Sequence, residues 1–210
     1  MSPAQDSVLA DLLTRNAQWA KEFEEANPGL LQQLAAADQE PKVLWIGCVD
    51  SRVPASVVTG STIPGEMLVH RNIANQYFET DLNARSVLDF AIGALGISHI
   101  AVIGHTNCGG VNRAHALAHN PSTLEALSAV DEWLLPLTEL ANSVGPEVTR
   151  DDLVEVNVRA QVEALKNSKT LQAAGKRVWI HGLVYELRDG LLRDLGVTGD
   201  IPKVDAAVEK

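Results

Sequence analysis

The chain has 210 residues, 46% of them hydrophobic, and a formal net charge of −10. That length suits one α/β domain with a sizeable core. The acidic balance and the lack of a long Lys/Arg run argue against a nucleic acid or an anionic membrane as partner, since both need a basic footprint, and no run of about 18 apolar residues is present to span a bilayer.

In chain order, Met1 to Asp6 lacks the basic stretch and apolar run of a secretory signal, and Asp6 and Asp11 do not suit an acid-poor transit peptide. The expectation is a cytoplasmic protein, or a mitochondrial one if the sequence is a processed form. Leu9, Leu12, Leu13, Trp19, Ala20 and Phe23 recur at helical spacing and predict a helix over 5–25. Asn27-Pro28-Gly29 breaks it, and a short helix to about Ala37 follows. Such an arm, residues 1–38, has little core to bury against, so it is expected to pack on a partner subunit.

Lys42 to Val49 is nearly all apolar and reads as a buried parallel strand. Glu66 to His70 is a second strand, and Asp81 to Leu95 carries helical periodicity. His99 to Gly104 is a third strand. Gly109 to His119 and stretches of 122–143 and 151–168 look helical. Lys176 to Glu186 is a fourth strand, with a short last one near Leu191 to Leu195. Strands alternating with helical crossovers predict a mostly parallel central sheet flanked by helices. No linker divides it, so 1–210 is expected to be one domain, with 42–195 as its α/β core.

The only two cysteines stand at informative places. Cys48 ends the first predicted strand and opens Cys-Val-Asp-Ser-Arg. Cys108 closes His105-Thr-Asn-Cys108 and is followed by Gly109-Gly110, at the start of a predicted helix. Cys48, Asp50, His105 and Cys108 together offer two thiolates, a carboxylate and an imidazole, a complete tetrahedral set for zinc. In an open parallel sheet, ligands gather beyond the carboxyl ends of the strands, where Cys48 and His105 fall. A helix N-terminus stabilises a thiolate at Cys108. A Cys48–Cys108 disulfide, or two inert buried thiols, are the competing uses of the pair; neither accounts for the flanking Asp50, Arg52 and His105.

The paired signatures Cys48-x-Asp50-Ser51-Arg52 and His105-x-x-Cys108 resemble the β-class carbonic anhydrases. The resemblance extends over Leu44 to Gly47, Val69 to Asn75, Gly104 to Val111, His181 to Tyr185 and Asp189 to Leu195. It implies one zinc per chain, ligated by Cys48, His105 and Cys108, and Asp50 and Arg52 as a catalytic dyad. It also implies a homodimer, with dimers pairing into tetramers, joined by the N-terminal arm. The implied activity is that of a zinc lyase: reversible hydration of CO2 to bicarbonate and a proton, with zinc lowering the pKa of water so that hydroxide attacks CO2. Asp50 can pair with Arg52, or leave it and ligate zinc. Trp45, Arg71 and Tyr185 match a non-catalytic bicarbonate pocket found in one subclass.

Hydrolysis of carbonyl sulfide or carbon disulfide on the same zinc set stays open at this point, as does a zinc that only holds the fold. Ala74, Tyr77 and Phe78 are expected near the substrate. His115 and His119, four apart on a helix with no Glu between them, read as a surface face. His181 reads as a buried strand histidine, and His70 as either a proton relay or a structural hydrogen-bonding group. No phosphate-loop or dinucleotide motif is present.

Overall fold

A computed structural model of the chain describes residues 3–120 and 127–201. It divides into two compact units, Met1–Gln39 and Glu40–Lys210. The first is helical: α1 (Pro3–Ala26) and α2 (Leu30–Ala36), separated by Gly29 at φ 75°. Val8, Leu9, Leu12, Leu13 and Trp19 are exposed on α1.

The second unit is built on a five-stranded sheet of order β2-β1-β3-β4-β5. The strands are β1 (Val43–Cys48), β2 (Met67–Asn72), β3 (His99–His105), β4 (Val178–Tyr185) and β5 (Leu192–Ile201). The first four run parallel; β5 is antiparallel to β4, so the sheet is mostly parallel as expected. β5 is longer than the sequence predicted, and its pairing with β4 shifts register between His181 and Leu183 of β4. The apolar periodicity fades after Leu195, while backbone pairing with β4 carries the strand on to Ile201.

Helices α3 (Ala55–Val58), α4 (Leu82–Asp89), α5 (Gly109–His119), α6 (Ala129–Val144), α7 (Arg150–Lys166) and α8 (Lys169–Gln172) complete the unit. The helix predicted to Leu95 is α-helical only to Asp89, then closes in one π turn, Phe90–Ala94. The helix predicted over 151–168 ends earlier, because Ser168 leaves helical geometry to cap α8. The start of the helical stretch predicted from 122 lies outside the described residues. Among the described residues, no helix is long and apolar enough to cross a membrane.

The larger core lies between the sheet and α4 to α7, and includes Leu44, Ile46, Val102, Leu134, Val158 and Ile180. Glycine lets α7 lie close on the sheet. A Cβ at Gly104 would stand 2.6 Å from Val158 Cγ2, and one at Gly182 would stand 3.1 Å from Val158 Cγ1. A smaller apolar cluster around Trp45, Val53, Ala55, Ala101 and Ile103 fills part of the rest of the unit.

Capping boxes fix the starts of α6 and α7, through Ser128 with Asp131 and Thr149 with Asp152. Asp131 also accepts a 2.6 Å hydrogen bond from Arg113 Nε, which ties α6 to α5. The Arg113 guanidinium, aided by Ser128, holds the Asp131 carboxyl well below the usual carboxylate range. A depressed carboxyl stabilises the fold above the unfolded-state value of about 3.9, and that stabilisation is lost as pH falls through the folded value. Arg113→Gln should therefore lower urea stability at neutral pH, with the gap from wild type narrowing as pH falls below about 4. A gap that stays constant with pH would show that the carboxylate charge plays no part.

Candidate metal centre

Strand register assembles the site. Cys48 ends β1 opposite Asn72 of β2, Gly47 pairs with Ile103 of β3, and His105 ends β3 opposite Tyr185 of β4. The chain passes from β1 to β2 on one side, then returns to β3 on the other, so these carboxyl ends flank a topological switch point. Cys108 is the N-cap residue of α5 and has no side-chain cap bond, so the first N–H groups of that helix are left to face its sulfur.

Cys48, His105 and Cys108 are 4%, 0% and 1% exposed. Their ligand atoms all lie within 4.8 Å of one another. The two sulfurs are free thiols 3.8 Å apart, which removes the disulfide reading. Two sulfurs each about 2.3 Å from a tetrahedral zinc would themselves be separated by about 3.8 Å. His105 Nδ1 lies 3.0 Å from the Thr106 carbonyl, which can only accept, so Nδ1 carries the proton and Nε2 keeps its lone pair. Nε2 is buried and has no hydrogen-bond partner among the described residues. A soft donor set with an orphaned imidazole nitrogen fits zinc.

The sulfurs sit among backbone donors. Cys48 is favoured as the thiolate chiefly by the Cys108 S–H, with the N–H groups of Asp50 and Ala74 adding to it, against the cost of burial. The same pairing and burial push the Cys108 thiol up, opposed by the N–H groups of Val111 and Gly110. Ala74 reaches Cys48 from a strained turn: Ala74 and Asn75 hold φ of 62° and 47°, in the left-handed region. Gly110 lets α5 approach that turn, since a Cβ there would stand 2.8 Å from Ile73 Cγ2 and 3.1 Å from Ala74 Cβ.

Asp50 stands beside the three-residue cluster, with Oδ2 3.8 Å from His105 Nε2. Both its oxygens are engaged by Arg52: Nε donates to Oδ1 at 2.9 Å, Nη2 to Oδ2 at 2.7 Å, and the Arg52 backbone N–H adds a 2.9 Å bond to Oδ1. This fork holds the Asp50 carboxyl far below the ordinary range. A cleft of about 380 Å³, lined by Arg52, Thr106, Asn107, Asp151 and Glu186 to Arg188, opens beside the pair.

The structure adds one pair the sequence did not single out, Thr106 and Glu186. Thr106 Oγ1 donates to Glu186 at 2.8 Å and accepts from the Leu187 N–H at 3.1 Å, fixing the loop whose carbonyl orients His105. Arg71, at the end of β2, donates to the carbonyls of Cys48 at 2.7 Å and Asp50 at 2.6 Å. Trp45 is buried with its indole N–H unpartnered among the described residues, in the same small cluster as the half-buried Tyr185.

Of the other expected residues, Ala74 touches the site. Tyr77 is a core residue whose hydroxyl donates to Glu79, and Phe78 packs edge-on against Trp133. His115 and His119 stack on each other and bond to backbone carbonyls. His70 Nε2 lies 3.3 Å from the Asn72 amide, and His181 is half-buried, 3.1 Å from His99.

A family model described as carbonic anhydrase matches residues 43–192. A carbonic anhydrase of Emericella nidulans is 36% identical, over 93% of this chain and 86% of that protein. This chain belongs to the β-class carbonic anhydrase family. The carbonic anhydrase of Saccharomyces cerevisiae is 32% identical over 90% of each chain. Among solved structures, a Coccomyxa β-carbonic anhydrase in complex with acetazolamide superposes with a TM-score of 0.82 at 32% identity, covering 91% of this chain and 87% of that one. A tetrameric β-carbonic anhydrase from Sordaria macrospora gives 0.79 at 31% identity, with 92% and 99% covered.

Proposed function

We propose that the chain catalyses reversible hydration of carbon dioxide to bicarbonate and a proton, as its family relationship implies, with zinc held by Cys48, His105 and Cys108. The observation that carries this reading is a buried three-donor cluster beside an ion-paired carboxylate. Zinc, when bound there, supplies Lewis acidity that makes hydroxide available near neutral pH. Asp50, steered by the Arg52 fork, accepts a hydrogen bond from the nucleophilic oxygen and aims its lone pair at carbon. Arg52 is half exposed, so the fork is open to solvent exchange, and Asp50 Oδ2, 3.8 Å from His105 Nε2, would offer a fourth donor to a metal held there if it left the fork.

Zinc should analyse at one per chain and fall sharply in Cys48→Ser, where a neutral hydroxyl replaces a thiolate. Asp50→Asn should keep its zinc yet lose most stopped-flow CO2 hydration, since a neutral amide neither forms the charged fork nor accepts as strongly. Hydration at the wild-type rate in that variant, or faster turnover of carbonyl sulfide than of CO2, would overturn the assignment.

We further read Trp45, Arg71 and Tyr185 as a regulatory bicarbonate pocket. The unpartnered indole N–H supports this. So does Arg71, whose bonds to the Cys48 and Asp50 carbonyls would compete with a bound anion and so couple the pocket to the dyad. Trp45→Phe should retain zinc and relieve inhibition by bicarbonate; unchanged inhibition would leave Trp45 as packing alone.

Residues 1–38 are read as an arm of one domain whose metal-binding core is 42–195, and the working unit as a homodimer or a pair of dimers. The exposed apolar residues of α1 support this. Light scattering should give at least a dimer, and removal of residues 1–25 should weaken it; an undiminished dimer would remove the arm from the interface.

A further inference from the structure

Helix α7 carries apolar residues on its buried face, among them Leu153, Val154, Val158, Val162 and Leu165. Two amides interrupt that face. Asn157 and Gln161 are 1% and 6% exposed and lie one helical turn apart. Burying two amides is costly unless each group is hydrogen-bonded.

Their bonds lead to one place. Asn157 Nδ2 donates to the Ala74 carbonyl at 2.9 Å. Gln161 Oε1 accepts the Tyr77 N–H at 2.8 Å, and Gln161 Nε2 donates to Asn157 Oδ1 at 3.0 Å. The ladder has a fixed direction. Oε1 must accept from Tyr77, so Nε2 must donate to Oδ1, and Asn157 must present its donor to Ala74. Trp133 Nε1 adds a 2.8 Å bond to the Ile73 carbonyl. Consecutive left-handed Ala and Asn residues are unfavourable by themselves and persist only where surroundings over-determine them. Cys48 pairs with Asn72 at the start of this turn, the Val49 N–H donates to the Asn72 carbonyl at 3.0 Å, and the turn is pressed against Gly110, two residues after Cys108. α7 is a firm reference, since it lies against the sheet where Gly104 and Gly182 leave room.

We propose that Asn157 and Gln161 are positioning residues for the metal ligand Cys48, acting through the left-handed turn at Ala74–Asn75. The amide ladder sets the turn, and the turn sets the Asn72 end of β2 against which the end of β1, with Cys48, is held. This rests on the reading of the cluster as a zinc site.

The test uses the full chain. Asn157→Leu and Gln161→Met are near in size and remove the ladder, while Val162→Ala trims the same helix face without touching it. Zinc affinity is measured by competition with a chromogenic chelator, below the melting temperature of each variant. Cobalt-substituted protein reports the thiolate-to-metal charge-transfer band. Both ladder variants should bind zinc about tenfold or more weakly and shift that band. Val162→Ala should lower the melting temperature but leave affinity and band unchanged. Wild-type affinity and spectrum in either folded ladder variant would overturn the proposal, as would an equal change in Val162→Ala. A wild-type chain that fails to bind zinc would instead sink the metal reading, and this inference with it.

Discussion

Two sulfurs and an imidazole nitrogen held close together inside a protein interior set the terms for the rest of this structure. Thiolates there lose water, and only fixed dipoles can replace it. The fold supplies those dipoles from three directions: the N-terminus of α5 at Cys108, the backbone after β1 at Asp50, and the left-handed turn at Ala74. Each requires a residue that would be out of place elsewhere. Gly110 clears the approach of the helix, and Ala74 adopts a conformation that alanine disfavours. Asp50 keeps its charge just outside the buried cluster because Arg52, itself solvated, shares it.

Much of this was legible in the residues. The apolar strands announced themselves by composition, and Cys48 and His105 fell at strand ends because each closes such a run. The Asp50–Arg52 pair was implied by the resemblance of Cys48-x-Asp50-Ser51-Arg52 to the family signature, and the two side chains do meet. What stayed hidden involved polar groups whose partners are distant in the chain. Asn157 and Gln161 look like any surface amides of an amphipathic helix; only the Ile73–Tyr77 backbone beneath them gives them meaning. Thr106 with Glu186 is hidden for the same reason. The π turn at Phe90–Ala94 keeps the periodicity of a helix, so no apolar pattern marks it. By contrast, Ser128-x-x-Asp131 and Thr149-x-x-Asp152 carried a readable capping signal that helical periodicity alone passed over.

Arg71, near the end of β2, reaches across to the end of β1. Its guanidinium holds the carbonyls of both Cys48, a member of the buried thiol–imidazole cluster, and Asp50, the carboxylate beside it. Backbone carbonyls are modest partners for a full charge, so any anion that reaches Arg71 competes on favourable terms. The β1 end is thus held by a bond that can be exchanged, while the β3 end is held by the Thr106 knot. One ligand strand is tied by charge to a replaceable acceptor, and the other is tied within its own loop.

The sheet order has a consequence in time. β1 and β3 are neighbours in space, yet β2 and α4 intervene along the chain. The ligand strands therefore meet only through a parallel, non-local pairing, the kind of contact that chain connectivity makes slow to form. Until β1 and β3 have zipped, Cys48 is a lone thiol and His105 with Cys108 an incomplete pair. The three donors are therefore neighbours only where β1 and β3 are paired, so whatever loosens that junction parts Cys48 from His105 and Cys108 while leaving each residue's own loop intact.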